Sequence, residues 1–436
     1  MKWLSYITLL LATCPLAFGV DPVSPVSGVN GEAGHRDGMG GQSLFNDPLG
    51  MARDAAGNLF VCDGRNHVIR KISAAGVVTT LAGAAGEPGA VDGVGSAARF
   101  RFPTDIALST TSGTLYVTDS GNHCIRKITP DGTVTTMAGD LGDADDITLN
   151  YGTTAYTTVP VSIDGKGKNA RFNSPGGIAY SPAGYLYVSD TGNQVIRRID
   201  GSANVVTIAG SPGAWGKTDG SGSAARFCSP QGLCVGADGS IYIADTLNHS
   251  IRRMTSAGVV TTFSGNSSES GTAMGPRLEA RYGEPTDITP HPDGGFIICD
   301  SLRNSLFRLD ATGVVSRFAG NDQIESPPAP NELSGPTSAV SDPQGNVYVA
   351  DTFNQEVRLI LAKFDIFISM NGPTREITLT WDSLPGRDYE LQTLGAQGWE
   401  SGPHAPVRAI GELTFIKFFV PAHQANGIYR IVLLGF

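Results

Sequence analysis

Four arginines stand in one short context: Ala98-Arg99-Phe100, Ala170-Arg171-Phe172, Ala225-Arg226-Phe227 and Ala280-Arg281-Tyr282. An arginine fork at a repeated position suits bidentate recognition of carboxylates or sulfated sugars, and such a set ringing a channel mouth would bind them. The structural alternative pairs each arginine with an aspartate of its own Asp-Gly loop, such as Asp92, Asp164 or Asp219. Trp215, in SPGAWGKTDG, and Tyr156, in a long insertion, are aromatics suited to stacking on a sugar or anchoring a protein, or else to covering their own loops. Asp105 and Asp287 are the carboxylates that a calcium or zinc ion would use in a metal-dependent lyase or hydrolase. Asp140, Asp143, Asp145 and Asp146 cluster without the spacing of a calcium loop, which reads as a solvated turn. The histidines do not converge: His67, His123 and His249 recur at one repeated position, and His35, His291, His404 and His423 lie elsewhere. No Ser-His-Asp order, nucleophile elbow or phosphate loop stands in a supporting context.

These residues are set into an internal repeat. The segments DGRNHVIRKI, DSGNHCIRKI, DTGNQVIRRI, DTLNHSIRRM, DSLRNSLFRL and DTFNQEVRLI begin at Asp63, Asp119, Asp190, Asp245, Asp300 and Asp351, and the interval after the second carries an insertion. Each unit reads as four short strands A to D separated by turn signals. In the fourth unit these are Gly232 to Val235, Ile241 to Ala244, Ser250 to Met254 and Val259 to Phe263. Four strands per unit predict a six-bladed β-propeller. The second strand of every unit is apolar on both faces, as a sheet covered on both sides requires, and small residues such as Cys62 and Cys299 precede its aspartate as core. The last unit lacks a fourth strand, so Val23 to Gly28 is expected to complete it and close the ring.

The repeated aspartates each open a turn where a carboxylate accepts backbone N–H groups, and Arg70, Arg126, Arg197, Arg252 and Arg358 follow on strand C. Recurrence in nearly every blade argues for structure over catalysis. Blade five departs, with Arg303 for the usual Asn and Phe307 for the usual Arg. The B-to-C turns and D-to-A connections emerge on one face, and the connections there are long, so that face is the expected binding surface.

The pattern P-x-x-I-A, G-x-L-Y-V-x-D-x-x-N-H-x-I-R-K-I and G-x-V-T-T-x-A-G resembles NHL repeats over about residues 20–362. The resemblance implies fold more than function, since that family holds protein-, carbohydrate- and nucleic-acid-binding modules and a few lyases. Residues 363–436 are expected to form a small β-sandwich; ITLTWDSLPGRDYELQT and GIYRIVLL resemble fibronectin type III-like domains of secreted bacterial proteins, which implies adhesion, spacing or surface retention. The expected fold class is therefore all-β, a closed six-bladed propeller followed by a sandwich.

Residues 1–19 read as a signal peptide: Lys2, an apolar run from Ile7 to Ala12, and Ala17-Phe18-Gly19 as a cleavage site. The alternative is a lipid anchor at Cys14, which Thr13 fits poorly. A secreted, periplasmic or cell-surface protein is expected, and no apolar stretch approaches the ~20 residues of a membrane span. A net charge of −10 argues against recognition of nucleic-acid phosphates. The expectation is an exported protein that binds a glycan or protein with its long-loop face and needs no cofactor. The alternative is a lactonase-like lyase or hydrolase with calcium or zinc in the central channel, and a third reading is a structural role in a cell envelope.

Overall fold

The computed structural model describes residues 23–139, 162–266, 269–321 and 332–361, together with the strands within residues 366–433. The chain divides into two compact units, one spanning Pro25–Ala362 and the other holding Lys363–Phe436.

The first unit is a six-bladed β-propeller of antiparallel sheets. Blade two shows the plan. Its strands run outward from the channel as Pro103–Leu108, Leu115–Asp119, Cys124–Ile128 and Thr133–Ala138. Leu115 pairs with Ile128, Val117 with Arg126 and Asp119 with Cys124, so successive side chains point to opposite faces of the blade. Both faces are buried against neighbours. Ala52, Cys62 and Ile69 of blade one share a cluster with Phe100, Ile106 and Val117 of blade two. Ile125 and Ala138 from the other face of blade two join Phe172, Ile178 and Val188 of blade three. The two-sided apolar pattern of the second strands is thereby explained.

Blade six is closed as expected: Val23–Gly28 pairs with Glu356–Ile360 and supplies the missing outer strand. Blades one to five each carry a further, two-residue outermost strand that the repeat pattern did not reveal. In blade two it is Gly93–Val94, which pairs with Thr133 and Val134. It comes from the long connection preceding the blade, which first crosses the rim and then returns inward to the channel.

In the second unit, Ile366–Asn371, Glu376–Asp382 and Leu413–Phe419 form one antiparallel sheet. Gly398–Ser401, Asp388–Gly395, Val407–Arg408 and Tyr429–Leu433 form another. The fibronectin-like resemblance of this unit rests on its sequence alone. No helix among the described residues is long and apolar enough to cross a membrane.

Candidate functional site

The face carrying the long connections is built from two repeated devices. The first is an ion network. Asp63 is fully buried and accepts hydrogen bonds from Asn46 N (2.8 Å), Asn66 Nδ2 (2.9 Å) and Arg70 Nη1 (2.7 Å). Arg70 also donates to Asp37 and to the Leu44 and Arg36 carbonyls, and lies over the Phe45 ring. Blades two, three and four repeat this with Arg126–Asp119–Asp92, Arg197–Asp190–Asp164 and Arg252–Asp245–Asp219. Burial pushes Asp63 and Asp245 up to about 6 against the opposing pull of their arginines, so desolvation outweighs the charge pairing.

The second device joins the blades. The last residue of each B-to-C turn is held in a left-handed conformation: His67, His123, Gln194, His249, Asn304 and Gln355 have φ between 50° and 62°. In five of the six blades its side chain accepts a backbone N–H of the following blade. The donors are Phe102 to His67 Nδ1 (3.1 Å), Ser174 to His123 Nδ1 (2.8 Å), Ser229 to Gln194 (2.6 Å), Gly335 to Asn304 (2.8 Å) and, across the closure, Asp47 to Gln355 (2.7 Å). His249 instead meets the Gly283 carbonyl. The repeated histidines are thus latches between blades.

Asp92, Asp164 and Asp219 pair with the strand-C arginines, not with Arg99, Arg171 and Arg226 as the structural alternative had it. Those three and Arg281 donate to their own loops: Arg99 to the Ser96 and Ala98 carbonyls, Arg171 to Lys168 and Ala170, Arg226 to Ser223 and Ala225, and Arg281 to Glu279 and Ala280. The Arg99 N–H bonds the carbonyl of Val91, two residues from the outermost strand of its blade, and Arg171 likewise bonds Ile163. The four arginines therefore stand toward the rim and do not ring the channel mouth.

One of them borders a cleft. A cavity of about 490 Å³ lies between blades three and four, lined by Ser162–Asp164, Thr207–Gly210, Pro212 and Ser223. Arg226 is anchored to the Ser223 carbonyl, and the Arg171 backbone pairs with Ile163. Trp215 follows Pro212 by three residues and is 75% exposed, while the adjoining Gly216 packs on the Arg226 side chain. Arg226 and Trp215 thus share one neighbourhood, whereas the Arg171 side chain turns to Lys168 and Ala170 of the turn packed on blade two, and Arg99 and Arg281 belong to other blades. Tyr156, the Asp140–Asp146 cluster and the N-terminal leader with Cys14 lie outside the described residues.

Asp105 and Asp287 are the third residues of the inner strands of blades two and five, Pro103–Leu108 and Pro285–Pro290, and these blades are opposite in a ring of six. Each carboxylate ties two blades. Asp105 accepts Ile106 N and, from blade three, Ile178 N (2.8 Å each); Asp287 accepts Ile288 N (2.8 Å) and, from blade six, Ala339 N (3.2 Å). On their other flank stand Gly50 and Gly232, where a Cβ would fall 2.3 Å from the Asp105 and Asp287 oxygens. Among the described residues no group of three or more His, Cys, Asp or Glu is placed to hold a metal. The carboxylates are committed to backbone N–H groups and to ring assembly.

Burial pushes Asp287 up to about 6, and burial followed by the Asp287 charge raises Asp105 well above the usual range. Between the ordinary value near 3.8 and about 6, the folded chain keeps a proton that the unfolded chain has released, so this pair's stabilisation falls as pH rises. The melting temperature of Asp287→Asn relative to the parent should therefore climb between about pH 4 and 7. A pH-independent difference would show that the pair is not coupled to folding.

Sequence reasoning missed two features of the turns beside the channel. The third turn position reads Arg65, Gly121, Gly192, Leu247, Leu302 and Phe353, which places apolar residues on three consecutive blades; Phe353 is 66% exposed. Arg101 is a cation where other blades carry Asn46, Asn173, Cys228, Gly283 or Ser334. The detectable signal was departure from the repeat at one blade. Blade five also changes as a unit: Phe307 replaces the arginine, Met274 its aspartate and Tyr282 its phenylalanine, and the Tyr282 hydroxyl bonds Ser264 (2.8 Å).

The NHL repeat model matches residues 100–128 and 227–254. NHL repeat-containing protein 2 of Bos taurus is 32% identical over 162 residues, covering 36% of this chain and 21% of that protein. The chain therefore spans about a fifth of that relative's length. A protein of unknown function from Bacteroides thetaiotaomicron has a similar structure, with a TM-score of 0.57 and 20% identity over 77% of this chain and 74% of that one. An auxiliary nutrient binding protein from the same organism aligns with a TM-score of 0.53 and 14% identity, covering 77% and 75%.

Proposed function

Because this chain is a six-bladed propeller of NHL repeats, we propose that it is an exported binding protein that takes a glycan or protein partner on its long-loop face. The carrying observation is Trp215, 75% exposed beside the cleft between blades three and four. A large indole left in water next to a cleft is a stacking platform for a pyranose ring or an anchor for a partner side chain. Arg226 stands beside it, already braced by the Ser223 carbonyl, so a ligand acid group would meet a fork with little conformational freedom left to lose. The fold is shared with an auxiliary nutrient binding protein, which accords with this reading.

The test is a glycan array followed by calorimetric titration of each hit. Trp215→Ala should weaken binding by about tenfold or more, the range expected for loss of a central aromatic contact. Equal affinity of parent and variant for every hit would move the binding surface away from the cleft. Export is tested separately: N-terminal sequencing of secreted material should begin at Val20, and retention of the leader would overturn it.

A further inference from the structure

We propose that Arg101 forms a second, independent subsite for an oxyanion beside the channel opening, walled by the histidine turns of blades one and two. Its backbone is fixed on both sides. The Arg101 N–H donates to Asp119 Oδ1 (2.7 Å), and its carbonyl accepts Gly121 N (2.9 Å). Its stem runs over Gly121, where a Cβ would fall 2.6 Å from Arg101 Cγ; blades one, four, five and six carry Arg65, Leu247, Leu302 and Phe353 at that turn position, and blades two and three leave it bare with Gly121 and Gly192.

The guanidinium so placed has no carboxylate or carbonyl partner among the described residues, and its Nε is buried without one. Among the cations beside the channel turns this contrasts with Arg65, which pairs with Asp47. Arg70, Arg126, Arg197, Arg252 and Arg358 each meet a buried aspartate, and the rim arginines Arg99 and Arg281 meet glutamates. Asp119, which accepts the Arg101 N–H, is committed to Arg126 and Asn122, and Asp105 to the Ile106 and Ile178 N–H groups.

The neighbours add donors and no negative charge. His123 Nδ1 accepts Ser174 N, so in the neutral ring the proton sits on Nε2, which can donate. Burial and then the Arg101 charge lower the pKa of both His67 and His123, which places the cation close to both rings and keeps them neutral. Phe102 follows with φ 50°, a conformation unfavourable for a bulky residue. The equivalent positions hold Asp47, Ser174, Ser229 and Gly335, so blade two accepts strain to set an aromatic, packed on the core between blades one and two, directly after the arginine. A half-buried fork with unsatisfied donors fits a carboxylate, sulfate or phosphate group.

Calorimetric titration of the full chain with sulfate, phosphate and galacturonate at low ionic strength tests this. Saturable binding of at least one anion is expected, weakened about tenfold or more in Arg101→Ala and partly kept in Arg101→Lys, as loss of charge-assisted bonds requires. Binding of galacturonate alone would identify a carboxylate sugar, and binding of sulfate or phosphate alone a tetrahedral anion. Arg99→Ala and Trp215→Ala should bind like the parent, so failure here is separable from failure of the cleft. Thermal melting of each variant checks the fold. No saturable binding, or equal affinity of the parent and a folded Arg101→Ala, overturns the proposal.

Discussion

Arg197→Met is expected to destabilise the propeller by about 3–5 kcal/mol, the range for removing one partner of a buried ion pair. Arg197 and Asp190 are both fully buried, 2.6 Å apart, and the arginine also holds Asp164 and the Arg171 and Ile163 carbonyls. Methionine fills much of the volume but leaves the Asp190 charge without its counter-ion. Asp190 would keep Asn173 N and Asn193 Nδ2, which softens the loss without removing it. Chemical denaturation checks the value, and the double variant Arg197→Met/Asp190→Asn should recover part of it, because the stranded charge is gone. Blade five is the natural precedent: with Phe307 and Met274 in place of the pair's outer members, Arg303 takes station by Asp300 instead. If the single variant melts like the parent, the network serves specificity and contributes little to stability.

Removing residues up to Gly28 should have an effect of similar size, at least roughly 3 kcal/mol from lost apolar burial and ladder hydrogen bonds. Val26 and Ser27 are buried, Gly28 N donates to Ser43 Oγ (3.1 Å), and Gly28 approaches the Gln355 carbonyl so closely that a Cβ would fall 2.4 Å from it. Without this strand, Glu356–Ile360 becomes an open sheet edge, a template for association with other chains. Calorimetry should show a lower melting temperature, and light scattering should show aggregation on heating. Gly28→Val should act in the same direction with the strand present, since φ is 97° there. Unchanged melting of the truncated chain would mean that closure rests on the latches from Gln355 and Thr352 to blade one.

The sequence by itself determined the blades and their closure. Period-two strands, turn residues and the recurring Asp and Arg are local signals, and repetition multiplies each of them, so the strand of Val23 to Gly28 could be assigned to blade six by its pattern. It also singled out Trp215 and the opposed Asp105 and Asp287. What only the tertiary structure decided is which groups satisfy one another. The aspartates of the Asp-Gly loops had two arginines within plausible reach, and the choice of Arg126, Arg197 and Arg252 depends on where the connection crosses the rim. The same path carries Arg99, Arg171, Arg226 and Arg281 away from the mouth and brings Arg226 to the cleft between blades three and four. The latch role of His67 and His123 was equally hidden, because the N–H each accepts belongs to the next blade. Hydrogen bonds and ion pairs act over a few ångströms in space, whereas sequence patterning reports only neighbours along one strand, so the elements could be read in one dimension and the site in three alone.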